Sequence, residues 1–394
     1  MSRQIIVAGV GMTPFVKPGS SEPYTVMASA AINEALQDAG IDYDRVQQAY
    51  AGYVYGDSTC GQRVLYQVGM TGIPVVNVNN NCSTGSSALY LARQAVESSA
   101  VDCALAFGFE QMAPGALSSV WSDRPNPLDE FVETTKRVVE DPQVPMAIQM
   151  FGGAGVAYQE IYGAEDETFA KVRAKASTHA VHNDKAIFRD EISVEDVMAS
   201  PRITKLLTRL QCCPPTCGAG AAIVCSQEFA QQHGIDSTVR VESQAMTTDF
   251  PSTFDNDDMM RVVGYDMTAA AAKQVYEQAG VGPEDVDVVE LHDCFTANEL
   301  ITYEGLSLTP EGTAEKFIWD GDNTYGGKVV TNPSGGLLSK GHPLGATGLA
   351  QCYELVNQLR DRTGKRQVAG ARTALQHNLG LGGACVVTLY QNAA

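Results

Sequence analysis

The chain is short of positive charge. Lysine and arginine number 27 against 46 aspartate and glutamate, a formal net charge of −19 over 394 residues. That balance argues against nucleic acid and against an anionic membrane surface as general partners, although a local basic patch can still hold an anionic ligand. Arg202, Lys205 and Arg209 form one basic run, which reads equally as a phosphate contact or as a solvated face. Long apolar runs are also missing, so no segment is suited to crossing a bilayer. Met1 to Val10 reads as a first strand and not as the apolar core of a secretory signal. Paired Cys-x-x-Cys spacing is absent. Cys212-Cys213-x-x-x-Cys217 has no companion histidine and is interrupted by Pro214 and Pro215, which argues against zinc. The tail carries no Ser-Lys-Leu address. Together these absences lead to the expectation of a cytoplasmic protein with reduced thiols, no metal and no membrane insertion.

What is present is a chain too long for one ordinary core, with the 44% apolar share of a globular protein. Among its cysteines, Cys82 has an informative setting. A β-run, Val75 to Asn81, meets a helix-forming run, Ser83 to Arg93. A thiol there faces unpaired backbone N–H groups and the positive end of a helix dipole. Such a setting favours thiolate and draws the pKa down from about 8.5. Gly85, Ser86 and Ala88 leave room for a substrate beside the sulfur. The alternative is a small buried apolar residue.

The chain repeats its grammar. A helix ending at Gly40 precedes a strand, Gln48 to Gly56, and a helix ending at Gly280 precedes another, Val286 to His292. Each unit leads on to a strand, a tight turn and a helix of small residues. The turn holds Cys82 in the first half and His342, within Gly341 to Ala350, in the second. The strands that follow are Asp102 to Gly108 and Ala384 to Tyr390. This order implies duplicated α/β halves, with sheets covered by helices. A pseudo-twofold axis would bring Cys82 and His342 together on facing helix N-termini. Ala219 to Cys225 reads as the closing strand of the first half. The expected division is residues 1–111 with 209–245, an inserted lid or capping subdomain over 112–208, and residues 246–394.

Four segments carry candidate chemistry: Asn81 to Gly85, His292-Asp293-Cys294-Phe295, Gly341-His342-Pro343, and His377 to Gly383. The last reads as a glycine-rich turn that fits no dinucleotide fingerprint. Asp293 is either a solvated charge or an orienting partner. His179, His182 and His233 lie outside these segments and read as surface residues.

In that order the segments resemble the thiolase superfamily, and His292-Asp293-Cys294-Phe295 resembles its sterol carrier protein X type. Gly56 to Arg63, Asn77 to Cys82, Gln211 to Pro214 and Asn332 to Leu337 extend the resemblance over nearly the whole chain. The resemblance implies a five-layered α-β-α-β-α thiolase fold, and a homodimer or dimer of dimers with Gly56 to Arg63 near its interface. It implies coenzyme A as a substrate and no permanently bound cofactor. It also implies a stand-alone member without the family's lipid-carrying C-terminal domain.

The resemblance supplies roles as well. Cys82 is the nucleophile and His342 its base. His292 joins His342 in binding an enolate oxygen, directly or through water. A second oxyanion hole combines the N–H of Cys82 with an N–H among Gly380, Leu381 and Gly382, and His377 is a substrate-binding candidate. Most thiolases carry an acid/base cysteine in a Cys-x-Gly motif, which this chain lacks. Cys294 is the replacement, whereas Cys385 lies inside the last strand. The activity implied is cleavage of 3-oxoacyl-CoA, or the reverse Claisen condensation, in fatty-acid or sterol side-chain degradation. Two rivals stand beside it. One is a retro-aldolase acting on steroid acyl-CoA with a partner protein, whose known examples lack the cysteine pair. The other is a non-catalytic acyl-CoA or lipid-binding protein.

Overall fold

The computed structural model describes residues 3–113, 121–139 and 143–393. The first half runs β1 (Ile5–Met12), α1 (Tyr24–Ala39), β2 (Gln48–Gly52), α2 (Cys60–Leu65), β3 (Val75–Val78), α3 (Thr84–Glu97) and β4 (Cys103–Glu110). An excursion follows, with α4 (Asp129–Val138), α5 (Met146–Tyr162), α6 (Asp166–Ala180) and α7 (Val194–Ala199). The chain then returns through β5 (Gly218–Ser226) and α8 (Gln227–His233). The second half opens with β6 (Val239–Thr247), α9 (Met259–Val262), α10 (Tyr265–Ala279) and β7 (Val288–Glu290). It continues through α11 (Thr296–Gly305), α12 (Ala314–Trp319), β8 (Val330–Thr331), α13 (Gly336–Ser339) and α14 (Thr347–Leu359), and closes with β9 (Thr373–Gly380) and β10 (Ala384–Asn392).

The strand order is β3-β2-β4-β5-β1-β6-β10-β9-β7-β8. Read inward from either edge, the two halves have the same order. In each, three parallel strands are followed by two antiparallel additions. Among the described residues, the two half-sheets pair with each other where Ile5 and Ile6 of β1 meet Val241 and Arg240 of β6. The duplication therefore stands, but its strand assignment shifts by one. The counterpart of β4 is β9, and β10 corresponds to β5. The sequence pattern suggested otherwise because His377, Asn378 and Gly380 look like turn residues. They belong to a fully buried strand, and Ala384 pairs with Gly380, so the turn shrinks to residues 381–383.

Helices α3 and α14 lie together at the centre and touch strands of both half-sheets. Their apolar faces, including Ala88, Leu89 and Ala92 with Leu349, Cys352 and Leu355, form one core with the inner faces of the strands. On one outer side α1 and α8 cover the first half-sheet. On the other, α10 and α11 cover the second, and helices of the excursion add to that core. The result is the α-β-α-β-α layering of the thiolase fold. Absent side chains permit the central contact. A Cβ on Gly345 would lie 2.4 Å from the Phe109 carbonyl, and one on Gly85 would lie 2.8 Å from the Gly345 carbonyl. Each central helix starts at the same end of its half-sheet, so the residues preceding both helices meet.

Candidate active site

Asn79 to Cys82 link β3 to α3 through a closed polar turn, with Asn81 at φ 52°. The Thr84 hydroxyl accepts from the Asn80 N–H (2.8 Å) and donates to the Asn81 carbonyl (2.6 Å). Cys82 is half-buried, with Sγ 3.7 Å from Asn81 Oδ1. The expected low pKa does not appear. Burial pushes the thiol up to about 12; the Glu110 charge adds to this, while the backbone N–H of Cys82 opposes it. Loss of hydration outweighs the helix end, so Cys82 rests as a thiol and needs a base. Nor do Gly85, Ser86 and Ala88 leave a substrate space. They are buried, and Gly85 faces the Gly345 carbonyl and the Gly348 N–H of the second half.

That base is close at hand. His342 follows Gly341 (φ 115°) and donates its backbone N–H to the Thr216 hydroxyl (3.1 Å). Its Nδ1 lies 2.7 Å from the Thr347 hydroxyl, which donates its own hydrogen to the Pro343 carbonyl at 3.0 Å. The hydroxyl therefore accepts from Nδ1–H, and Nε2 keeps a lone pair. Nε2 is buried and has no hydrogen-bond partner among the described residues. Burial lowers the His342 pKa to about 3, so the ring is neutral at physiological pH.

His292 has the opposite tautomer. The Asn378 amide nitrogen lies 3.1 Å from its Nδ1, and Ser86 donates to the other end of the amide at 2.9 Å. With the amide so oriented, Nδ1 accepts and Nε2 carries the hydrogen. The amide nitrogen also donates to the Cys82 carbonyl at 3.2 Å. Burial, then the neighbouring His342 and His377, hold His292 far below the usual histidine pKa. The rings of His292 and His342 meet edge to face, with centroids 5.0 Å apart. Cys82 Sγ and one nitrogen from each ring all lie within 4.8 Å of one another. A thiol, a lone-pair nitrogen and an N–H donor thus share one small volume.

The thiolase N-terminal domain family matches residues 5–204, and the thiolase C-terminal domain-like family matches residues 252–390. The chain belongs to the thiolase family. It is 54% identical over 392 residues to sterol carrier protein 2 of Rattus norvegicus, covering 98% of this chain and 72% of that protein. It is 38% identical to the benzoylsuccinyl-CoA thiolase subunit BbsB of Thauera aromatica, covering 97% of this chain and 96% of that one. Among solved structures, an Ltp2-ChsH2(DUF35) aldolase superposes with a TM-score of 0.84 at 22% identity, covering 99% of this chain and 98% of that chain. A likeness at that identity concerns the fold alone.

In this thiolase-family chain Cys294 is buried in the second-half core. Burial pushes its thiol well above the ordinary value, and Cys213, Cys82 and Asp293 push it further. Asp293 is neither solvated nor a histidine partner. Its carboxylate accepts from the N–H of Leu337 (2.7 Å) and of Leu338 (3.3 Å) at the start of α13, and burial raises its pKa to about 8. His377 is fully buried in β9, with Nδ1 accepting from the His292 N–H (3.3 Å) and Nε2 against the Thr268 hydroxyl (3.0 Å). Gly380 packs on the Cys82 turn, where a Cβ would come within 2.3 Å of the Asn80 carbonyl. The Leu381 carbonyl accepts from the Asn81 amide at 3.2 Å, while Gly382 sits further round the turn at φ 89°.

Other expectations also change. His179 is not a surface residue. It is buried and bonded to the Asn332 carbonyl (3.0 Å) and the Thr324 hydroxyl (2.8 Å), whereas His182 and His233 are exposed. Cys217 points into the first-half core, away from Cys213. In the basic run, Arg202 pairs with Asp166 (3.2 Å) and Lys205 with Glu160 (3.4 Å), as on a solvated face. The sequence reading missed three residues. Asn378 and Thr347 fix the histidine tautomers. Glu110 is fully buried and accepts from Val54 (3.2 Å) and Tyr55 (2.9 Å) in one half and from Gly345 (3.0 Å) in the other. Its signal was a carboxylate closing an otherwise apolar strand.

Proposed function

We propose that this protein is a thiolase that cleaves 3-oxoacyl-CoA with coenzyme A through an acyl-Cys82 intermediate. The observation that carries this reading is the convergence of Cys82 Sγ with two neutral, oppositely protonated imidazoles within 4.8 Å. A 3-keto carbon needs a soft nucleophile, which a thiolate provides. Nε2 of His342 takes the Cys82 proton as sulfur attacks, so thiolate forms only when it is used. The Cα–Cβ bond breaks and leaves the enolate of the shorter acyl-CoA. Nε2–H of His292 then faces the enolate oxygen, together with the protonated His342. Donors placed in advance in a water-poor site contribute most to such a step, and losing one costs about 10²–10³ in rate.

Cys294 protonates the enolate carbon. It then accepts the proton of incoming coenzyme A, whose sulfur attacks acyl-Cys82. The acyl carbonyl oxygen is held by the N–H of Cys82 and an N–H among residues 380–382, where the end of β9 abuts the Cys82 loop. Run backwards, the same steps are a Claisen condensation. Coenzyme A enters and leaves as a substrate, and no resident cofactor takes part. The likeness to sterol carrier protein 2 favours branched or sterol side-chain acyl groups, with fatty acyl groups next. A homodimer is part of the proposal, supported by β3, which ends the sheet with Val76 40% exposed. Among the described residues no helix is long and apolar enough to cross a membrane.

The test is a thiolysis screen with linear, 2-methyl-branched and steroid 3-oxoacyl-CoAs. Release of acetyl-CoA or propionyl-CoA from at least one class, abolished by Cys82→Ser, is expected. Binding of every acyl-CoA without cleavage would leave the binding-protein reading in its place.

A further inference from the structure

Cysteine spacing along the chain argues against a metal, but donors brought together from distant segments leave no such spacing. Cys82 lies in the turn between β3 and α3, His292 follows β7 and His342 precedes α14. The Cys82 Sγ and one ring nitrogen from each histidine lie within 4.8 Å of one another. Nδ1 of His342 is taken by the Thr347 hydroxyl, and Nδ1 of His292 by the Asn378 amide. Nε2 is therefore the nitrogen each ring has left to offer. That of His342 is buried, carries a lone pair and has no hydrogen-bond partner among the described residues. A buried lone pair set so close to a thiol and a second imidazole is a ligand position.

The donor set has a chemical preference. A thiolate and two imidazoles suit divalent ions of the zinc class, whereas magnesium and calcium take oxygen. Zinc lies about 2.3 Å from sulfur and about 2.0–2.1 Å from nitrogen, so its tetrahedral ligands stand about 3.3–3.6 Å apart. Donors within 4.8 Å of one another need to draw in by about 1.5 Å at most, and Cys82 can turn about χ1 to do so. Metal-bound histidines engage their other nitrogen in a hydrogen bond, as Thr347 and Asn378 provide here. Three protein donors leave the fourth position to water.

We propose that Cys82, His292 and His342 form a reversible site for one zinc-class divalent ion, which blocks Cys82 as a nucleophile while it is bound. The site needs only this geometry and stands whether or not the protein cleaves 3-oxoacyl-CoA. Binding is also a proton exchange. The Cys82 sulfur bonds to the ion, and its proton leaves to solvent. His342 binds through the lone pair it already has. His292 first moves its hydrogen from Nε2 to Nδ1, and the Asn378 amide turns so that its oxygen accepts that hydrogen. The turn brings the amide oxygen toward the Cys82 carbonyl, which the amide nitrogen otherwise meets at 3.2 Å. The side chain that prepares His292 as a donor thus weakens it as a ligand, and keeps the ion exchangeable.

The experiment uses the whole protein without any acyl-CoA. Co²⁺ is titrated in while the thiolate-to-metal absorption band is followed, and competition by Zn²⁺ then gives the zinc affinity. A band that saturates at one ion per chain is expected, and Cys82→Ser should abolish it. Asn378→Asp gives the His292 Nδ1–H a permanent acceptor and should bind Zn²⁺ about 10–100-fold more tightly, although its turnover falls. A merely structural role for Asn378 would lower both. No band, a band that survives Cys82→Ser, or an unchanged or weaker zinc affinity in Asn378→Asp would overturn the proposal. Should a variant fail to fold, iodoacetamide alkylation of Cys82 in the unaltered protein reads the same contact. Zn²⁺ should slow it at least about tenfold, the scale of an outer-shell effect on metal affinity, and an undiminished rate at saturating Zn²⁺ would overturn the proposal.

Discussion

Asn378 stands 3.1 Å from Nδ1 of His292, and the same amide nitrogen donates to the Cys82 carbonyl at 3.2 Å. One side chain thus fixes the proton position on a histidine of one half and steadies the nucleophile turn of the other. Asn378→Asp presents an acceptor to Nδ1, which moves the ring hydrogen there and strips Nε2 of its donor. The expected loss is about 10²–10³ in kcat. KM should hardly move, because the donor acts on charge that develops in the reaction. Steady-state kinetics of the variant checks the split.

Thr347 has the matching task for His342. Thr347→Val leaves a buried Nδ1–H without an acceptor, an omission that costs about 1–3 kcal/mol. The ring can escape this by moving its hydrogen to Nε2, which removes the base from Cys82. Iodoacetamide alkylation of Cys82 near neutral pH should slow about tenfold in Thr347→Val, by the same free-energy scale. Thr347→Ser should restore it. Replacing His342 itself should slow the reaction at least as much.

The two halves meet through glycine. A Cβ at position 345 would fall 2.4 Å from the Phe109 carbonyl and 2.7 Å from the Gly52 carbonyl, both rigid backbone. Gly345→Ala is expected to destabilise the fold by about 3 kcal/mol, through overpacking where nothing can yield. Urea unfolding would show it as a lower midpoint, and activity should fall with it, since Gly345 also holds Glu110.

Stability should depend on pH in two opposite ways. His179, His342 and His377 are held neutral by burial, each lowered from 6.5 to about 3. The unfolded chain takes up their protons first, so the stability they leave intact above pH 6.5 is lost as pH falls from 6.5 toward 3. Glu110 and Asp293 act in the other direction, raised by burial to about 7 and about 8. Their contribution is full below the ordinary carboxylate range and is lost as pH rises through those values. Urea midpoints measured from pH 4 to pH 9 should therefore peak near neutrality and decline on both sides. A midpoint climbing steadily to pH 9 would contradict the raised carboxyl pKa values.

Much of the fold could be read in the sequence because the duplication is written twice. Helix ends at Gly40 and Gly280, both left-handed, mark the same stop in each half. Cys82 and His342 could be paired from that frame alone. What stayed hidden depends on burial and contact. The helix N-terminus suggested a low Cys82 pKa, but the loss of water around the sulfur is a property of the folded layers. His377, Asn378 and Gly380 carry turn chemistry, yet neighbouring strands satisfy their polar groups and keep them in β9. Cys213 and Cys294 are far apart in sequence, and only the folded chain brings the Cys213 N–H to the Cys294 carbonyl. The face on which the helices of the excursion from α4 to α7 pack was not legible either.

The most direct test is mass spectrometry of the intact protein and its peptides after incubation with acetyl-CoA. One acetyl group is expected on Cys82 in the wild type and in Cys294→Ala, with steady-state thiolysis collapsing in the variant. An acetyl group on another residue, or none while coenzyme A still binds, would contradict the account.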